Sequence, residues 1–218
     1  MNITSIRHKL TGWLDPFILL LSKTGITPNQ ITLLSFLFGI AAAGCYLTTH
    51  FIAGSILLAI SGILDLTDGS VARLTNKKSD FGAIIDWIVD KYVDGIVLFA
   101  VGLSCFISTP AYLAGFAIPQ IAYVGVAGVA VIGSIMNTFI KPVTYAETGY
   151  SAKEDGKISD PLEGIGFFGR PETMLLLIAG GLFGFIWIAV LIIALCTNLS
   201  AVQRILYLKK RHGGYKNE

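Results

Sequence analysis

The sequence predicts an all-α integral membrane protein, with six transmembrane helices and an N-terminal amphipathic helix at the membrane interface. Only 14% of the 218 residues are charged, against roughly 25% in a soluble domain, and the mean hydropathy is +0.71. Asp, Glu, Lys and Arg are absent from residues 24–64, 95–140 and 173–203. Because a helix needs about 20 apolar residues to cross the hydrocarbon core, each of these tracts can supply a crossing. The net charge of +2 gives no electrostatic reason to expect a nucleic-acid partner.

Residues 1–23 form a segment unlike the rest of the chain. Apolar residues recur there at helical spacing with basic residues nearby, a pattern typical of a helix lying in the cytoplasmic interface. Pro16 should interrupt this helix, because proline cannot donate a backbone hydrogen bond and clashes with the preceding turn. The apolar positions are Ile6, Leu10, Trp13, Leu14, Phe17, Ile18 and Leu21, and the basic ones are Arg7, Lys9 and Lys23.

Six transmembrane helices should follow, leaving a basic tail at 209–218. The first should open at Thr27, which suits the N-cap, with Pro28 at the first helical position and Gln30 completing a capping box. The predicted helices are 29–48, 51–75, 79–107, 112–140, 171–185 and 186–208.

The basic residues predict the orientation of the helices. Except for Lys91, they lie near alternate helix ends, and the turns near Thr49, Pro110 and Gly184 carry none. By the positive-inside rule, the bundle is multi-pass with both termini, the turn at 76–78 and the loop at 141–170 in the cytoplasm.

Aspartates stand in the second and third predicted helices, where water should be scarce. If these helices form an antiparallel hairpin turning at 75–79, Asp65 lies at the depth of Asp90, and Asp68 at the depth of Asp86. Four carboxylates should then converge roughly 10–16 Å from the cytoplasmic helix ends.

Divalent cations would relieve the crowding of these charges. One central aspartate costs about 2.5–3.5 kcal/mol to insert, so four need compensation. Oxygen-only ligands favour Mg²⁺, Mn²⁺ or Ca²⁺, and two such ions about 3.5–4 Å apart could clamp a phosphoryl group. Small residues at Gly69, Ala72 and Gly82 leave room for a bulky ligand, and Arg73 near the mouth could hold a phosphate.

The spacing of these residues resembles the signature of the CDP-alcohol phosphotransferase (CDP-alcohol phosphatidyltransferase) family. All eight fixed positions match: Asp65-x₂-Asp68-Gly69-x₂-Ala72-Arg73-x₈-Gly82-x₃-Asp86-x₃-Asp90. The resemblance implies one membrane domain over residues 1–218, a homodimer, and attack of an alcohol on a CDP-linked alcohol with release of CMP.

The resemblance also implies a role for each matched residue. Asp65, Asp68 and Asp86 would hold two Mg²⁺ or Mn²⁺ ions, and Asp90 would accept the proton of the attacking hydroxyl. The CDP-binding positions would be Asp68, Gly69, Ala72, Arg73 and Gly82.

The substrates are less closely defined. Lys141 and Arg170 resemble the positions at which relatives that use polyol phosphates hold the acceptor phosphate, which favours a CDP-lipid donor and a polar, phosphorylated acceptor. Plain positive-inside anchoring explains both Lys141 and Arg170 equally well. A synthase joining CDP-inositol to inositol phosphate is an alternative within the family. A cation transporter could also use clustered carboxylates, but here the charges occupy only the cytoplasmic half. An intramembrane aspartic protease needs only two aspartates, so this alternative does not explain the other two.

Overall fold

The computed structural model describes residues 7–108, 112–113, 116–117, 119–150, 153–154, 157–158, 162 and 164–212. Within these ranges the chain is almost entirely helical, as predicted. The helices are α1 (Arg7–Lys23), α2 (Pro28–Leu47), α3 (Phe51–Leu74), α4 (Asp80–Ser108), α5 (Ile121–Thr148), α6 (Arg170–Phe183) and α7 (Ile186–His212). Two antiparallel pairs of two-residue strands interrupt them: β1 (Tyr112–Leu113) with β2 (Phe116–Ala117), and β3 (Lys153–Glu154) with β4 (Lys157–Ile158).

Five of the described helices are long and apolar enough to cross a membrane. These are α2, α3, α4, α5 and α7, so the chain is an integral membrane protein. The remaining predicted crossing appears as α6, whose 14 residues span about 21 Å at 1.5 Å per residue. That length is short of a hydrocarbon core about 30 Å thick.

The predicted helix 112–140 is wrong at both ends. Residues 112–117 contain β1 and β2, and α5 begins only after Pro119, whose carbonyl accepts a hydrogen bond from the Ala122 backbone N–H at 2.8 Å. A proline in a helix interior removes one hydrogen bond and clashes with the turn before it, so the helix starts beyond it. At the other end α5 runs through Pro142 and stops at Gly149, which takes a left-handed conformation with φ of +65°.

The N-terminal helix is continuous through Pro16, so the predicted interruption is wrong. Ile6 and the side chains of residues 7–13 lie outside the described part of the chain. Further along α1, Ile18 is only 2% exposed and packs against Ile31 of α2 and Leu64 of α3. This contact fixes α1 against α3, the helix that carries Asp65 and Asp68.

The start of α2 is capped as the sequence predicts. The Gln30 backbone N–H donates to Thr27 Oγ1 at 3.4 Å, and the Thr27 backbone N–H donates to Gln30 Oε1 at 2.8 Å. We expect Thr27→Ala to lower the free energy of unfolding by about 1 kcal/mol, because one helix-end donor loses its partner. Thr27→Ser keeps the hydroxyl and should stay within about 0.5 kcal/mol of the native protein. Equal losses in reversible unfolding of the two variants in detergent would contradict this account.

The main core joins all the helices from α2 to α7. Gly39 of α2 is one reason that α4 comes so close, since a Cβ there would lie 2.7 Å from Cγ2 of Val93. α2 also packs along α3, so the α3–α4 hairpin is held against one helix. The turn between α3 and α4 lies between Leu74 and Asp80. Both helix ends are within one residue of their predicted positions.

Candidate active site

Three of the predicted aspartates meet at one point. Carboxylate oxygens of Asp65 on α3 and of Asp86 and Asp90 on α4 all lie within 4.8 Å of one another. Each of these side chains is partly buried. The four-residue step from Asp86 to Asp90 keeps both side chains on one face of α4, and this face is turned towards Asp65.

Arg170, the first residue of α6, lies directly against this group. Its Nη1 is 2.5 Å from Oδ2 of Asp65, and its Nη2 is 2.8 Å from Oδ1 of Asp90. The side chain is only 16% exposed. One planar guanidinium therefore bridges the two helices of the hairpin.

A further aspartate, Asp94, lies on the other side of Arg170, although it is not one of the eight signature positions. It is 3% exposed, and its Oδ2 accepts hydrogen bonds from Lys91 Nζ at 2.8 Å and Ser134 Oγ at 2.9 Å. Its Oδ1 lies 3.5 Å from Nε of Arg170. A signal was present in the sequence, because Asp94 continues the four-residue step that runs through Asp86 and Asp90.

Asp68 is not in the group of three carboxylates but faces a neighbouring groove. It is 6% exposed, and its Oδ2 accepts a hydrogen bond of 2.6 Å from Thr32 Oγ1 of α2. We call this the α2–α4 groove. It is lined by Pro28, Asn29, Thr32, Asp68, Gly69, Ala72, Arg73, Lys77, Lys78, Ser79, Gly82, Ala83 and Asp86.

The groove contains all five residues predicted to bind CDP. Asp86 belongs both to this lining and to the carboxylate group, so the groove opens beside the three aspartates. Arg73 donates a hydrogen bond to Ser70 Oγ at 2.9 Å, which leaves the rest of its fork facing the groove. At Gly82 a Cβ would come within 3.0 Å of Ser79 Oγ and 3.1 Å of Asn29 Oδ1, so a larger side chain would fill this space.

The segment before Arg170 is fastened to the bundle by polar side chains. Asn137 of α5 donates to the Phe168 carbonyl at 2.7 Å, and Arg204 of α7 donates from Nε to the Ile165 carbonyl at 2.7 Å. Arg204 Nη1 also donates to the Asn137 carbonyl. These contacts hold the chain just ahead of α6 and so determine where Arg170 enters the cluster.

Lys141, the other residue predicted to hold the acceptor, is placed differently. It lies within α5, is partly buried, and is not among the described residues that line the groove or form the carboxylate group. It does have an interaction partner. Arg170, in contrast, lies at ion-pair distance from Asp65 and Asp90.

The donor set fits a divalent cation. All candidate ligand atoms are carboxylate oxygens, which suit hard cations such as Mg²⁺ and Mn²⁺. Asp90 Oδ1 is buried and accepts no hydrogen bond of good geometry from the described residues, although Arg170 lies at ion-pair distance. An oxygen in this state retains lone pairs for a metal ion.

Comparisons with known proteins give the family of the chain. The model of the family "CDP-alcohol phosphatidyltransferase" matches residues 25–202. The archaetidylinositol phosphate synthase of Pyrococcus horikoshii is 30% identical over 210 residues, which cover 96% of this chain and 97% of that protein. A protein of the same name from Methanothermobacter thermautotrophicus is 24% identical and is covered to 95%.

Solved structures show the same fold. The phosphatidylinositol phosphate synthase of Mycobacterium tuberculosis with CDP-DAG bound has a TM-score of 0.68 at 20% identity, covering 89% of this chain and 92% of that one. The same enzyme in complex with manganese and citrate also has a TM-score of 0.68. Matched by the family model over most of its length, the chain belongs to the CDP-alcohol phosphatidyltransferase family.

Proposed function

We propose that the protein transfers a lipid phosphoryl group from a CDP-linked lipid to a hydroxyl of a phosphorylated polyol, with inositol phosphate as the first candidate. The observation that carries this proposal is the guanidinium of Arg170 beside the carboxylates, 2.8 Å from Asp90. A guanidinium can make two parallel hydrogen bonds to a phosphate, so Arg170 suits an acceptor that itself carries a phosphate group. Relatives named as synthases of inositol phosphate lipids support the same acceptor.

The reaction is a substitution at the β-phosphorus of the CDP-lipid. The acceptor hydroxyl forms a new phosphorus–oxygen bond, the phosphoanhydride bond breaks, and CMP leaves. Asp90 takes the hydroxyl proton as general base. Its position beside Arg170 brings the hydroxyl and the acceptor phosphate to neighbouring groups.

We assign the metal ligands to Asp65, Asp68, Asp86 and Asp90. Asp86 borders both the α2–α4 groove and the group of three carboxylates, so its carboxylate would help to hold the ions on both sides. Bound Mg²⁺ or Mn²⁺ would neutralise the diphosphate and stabilise charge on the leaving CMP.

The α2–α4 groove is the proposed site for the CDP part of the donor, with Asp68, Gly69, Ala72, Arg73 and Gly82 as contacts. We expect Gly82→Leu to raise the Kd for CDP by about tenfold or more, because its side chain would fill the groove. Gly125→Leu is a matched control, since a Cβ at Gly125 meets nothing within 4 Å. Equal CDP affinity in the two variants, measured by isothermal titration with Mn²⁺ present, would contradict this placement.

For the acceptor phosphate we assign Arg170 first and Lys141 second. Arg170 already lies at the reacting carboxylates, whereas Lys141 would approach from α5. Acceptor KM measured in Arg170→Lys and Lys141→Met tests both assignments. Because lysine cannot make a bidentate contact, Arg170→Lys should raise the KM the more.

The topology proposed with this function has six crossings, one domain over residues 1–218, and both termini and the active site in the cytoplasm. Here α6 completes the sixth crossing, and α1 lies in the cytoplasmic interface. The orientation is tested with Lys209→Cys and Thr49→Cys, each as the single cysteine of a chain in which Cys45, Cys105 and Cys196 are replaced. Each variant is labelled in sealed vesicles with an impermeant thiol reagent. A homodimer is part of the proposal, and mass measurement in detergent tests it.

The substrates can be identified in one assay of CMP release. Purified protein with Mg²⁺ or Mn²⁺ would receive CDP-diacylglycerol, CDP-archaeol or CDP-inositol, each with serine, glycerol phosphate or inositol phosphate. The proposal predicts metal-dependent CMP with a CDP-lipid and inositol phosphate together. CMP only from CDP-inositol would establish the soluble-donor alternative. No CMP from any pair, with metal still bound, would contradict the proposal and favour a test of ion flux.

A further inference from the structure

Arg170 has contacts to three carboxylates that are not equivalent. Nη1 and Nη2 contact Asp65 and Asp90, two of the proposed metal ligands, at 2.5 and 2.8 Å. Nε lies 3.5 Å from Asp94, just beyond a good hydrogen bond, and has no hydrogen-bond partner among the described residues. One end of the guanidinium therefore occupies the metal ligands, and the other end faces a carboxylate outside that group.

Asp94 is held rigidly where it stands. Lys91 and Ser134 both donate to its Oδ2, and Lys91 Nζ lies 3.3 Å from Ser134 Oγ. Only Oδ1 faces Arg170. A buried carboxylate fixed from one side and directed at an arginine from the other is suited to hold that arginine.

A divalent cation and the guanidinium need the same oxygens. Asp65 and Asp90 each offer a limited number of lone pairs, and positive charges at such short range repel one another strongly inside a protein. Arg170 and a cation therefore cannot both occupy the present contacts at full strength. A guanidinium displaced from Asp65 and Asp90 while it stays near Asp94 has its two Nη groups available for an anion.

We propose that Asp94 is the positioning residue for Arg170, and that Arg170 passes from Asp65 and Asp90 to the phosphate of the acceptor when a divalent cation binds. Metal and acceptor phosphate then bind cooperatively, because each favours the same displaced arginine. The role of the acceptor phosphate rests on the proposed function, whereas the competition between Arg170 and the cation does not.

The competition is tested with Mn²⁺ alone, from the electron paramagnetic resonance signal of the free ion, with no nucleotide or acceptor present. Arg170→Gln should bind Mn²⁺ about tenfold more tightly than the native protein, because it removes a competing cation. Lys209→Gln is the control, since it removes one positive charge from an exposed residue near the end of α7. Equal or weaker Mn²⁺ binding by Arg170→Gln would overturn the competition. If that variant unfolds on heating far below the native protein, Arg170→Met replaces it, since it also removes the positive charge and should also bind Mn²⁺ more tightly.

The transfer of Arg170 is tested with inorganic phosphate as the probe. Saturating Mn²⁺ should tighten phosphate binding in the native protein, and most of this gain should disappear in Arg170→Gln. A gain that survives there would assign the coupling to direct contact between Mn²⁺ and phosphate, and would overturn the proposal.

The role of Asp94 is tested by the direction in which its replacement changes phosphate affinity. Removing a negative charge should by electrostatics alone tighten phosphate binding, whereas loss of a positioning residue should weaken it. We expect Asp94→Asn to weaken phosphate binding to the Mn²⁺-loaded protein about tenfold, with Mn²⁺ affinity changed less than about threefold, and Asp94→Glu to restore part of the loss. Unchanged or tighter phosphate binding would overturn the role of Asp94. All these measurements omit the CDP-lipid, so a failure to release CMP would contradict the proposed function and leave this inference standing.

Discussion

Replacing Asp90 by asparagine is expected to lower metal-dependent CMP release by about 10²–10⁴-fold, the usual contribution of a general base. Asparagine keeps the size of the side chain but cannot accept the proton of the attacking hydroxyl. It also removes the partner of Arg170 Nη2, now 2.8 Å away. The loss should therefore appear in kcat and should not be recovered at saturating substrate.

Mn²⁺ binding separates this role from simple metal ligation. If Asp90 acts as the base, Asp90→Asn should lose far more activity than Mn²⁺ affinity, because Asp65 and Asp86 remain in the group. Asp15→Asn is a matched control, because Asp15 is an exposed residue of α1, and this variant should keep full activity. Parallel losses of activity and of Mn²⁺ affinity in Asp90→Asn would limit Asp90 to a ligand.

Replacing Asp86 by asparagine should, in contrast, act mainly on Mn²⁺ affinity. Asp86 is the one residue common to the carboxylate group and the α2–α4 groove, so its charge serves both proposed ions. Loss of residues that merely support metal ligands costs 10–100-fold, and loss of a shared ligand should cost about 100-fold or more in Mn²⁺ affinity. CMP release should fall with it and recover in part at high Mn²⁺.

Titration of activity with Mn²⁺ distinguishes the two variants. We expect the Asp86→Asn curve to shift far to higher Mn²⁺, and the Asp90→Asn curve to shift much less but to reach a much lower maximum. An Asp86→Asn protein with native Mn²⁺ affinity would remove Asp86 from the proposed metal site.

The sequence predicts well whatever depends on local register. The short turn between α3 and α4 predicts that Asp65 approaches Asp90, and these two meet Asp86, whereas Asp68, predicted at the depth of Asp86, lies outside the group of three and contacts Thr32 of α2. The capping box at Thr27 is likewise local, since Pro28 and Gln30 lie within one turn of it. Periodicity and turn chemistry suffice for features of this kind.

Features that depend on distant segments could not be predicted in this way. Arg170 reaches Asp65 across 105 residues, and its position depends on Asn137 and Arg204 holding the segment before α6. The extension of α5 through Pro142 was missed for a related reason. A proline costs a helix about 3 kcal/mol, but Thr144 and Tyr145 beyond it are buried, and their packing can offset that cost.

The measurement that tests the central claim most directly follows one oxygen atom. Inositol phosphate labelled with ¹⁸O in its hydroxyl groups would be incubated with CDP-lipid, protein and Mg²⁺ or Mn²⁺, and both products would be weighed by mass spectrometry. Attack of the hydroxyl on the β-phosphorus predicts that the lipid product carries the labelled acceptor, including the bridging oxygen, and that CMP carries no label. Attack on the other phosphorus would instead join the labelled acceptor to CMP as an ester and release the lipid phosphate, and CMP without a labelled lipid product would mean hydrolysis; either result would contradict this account.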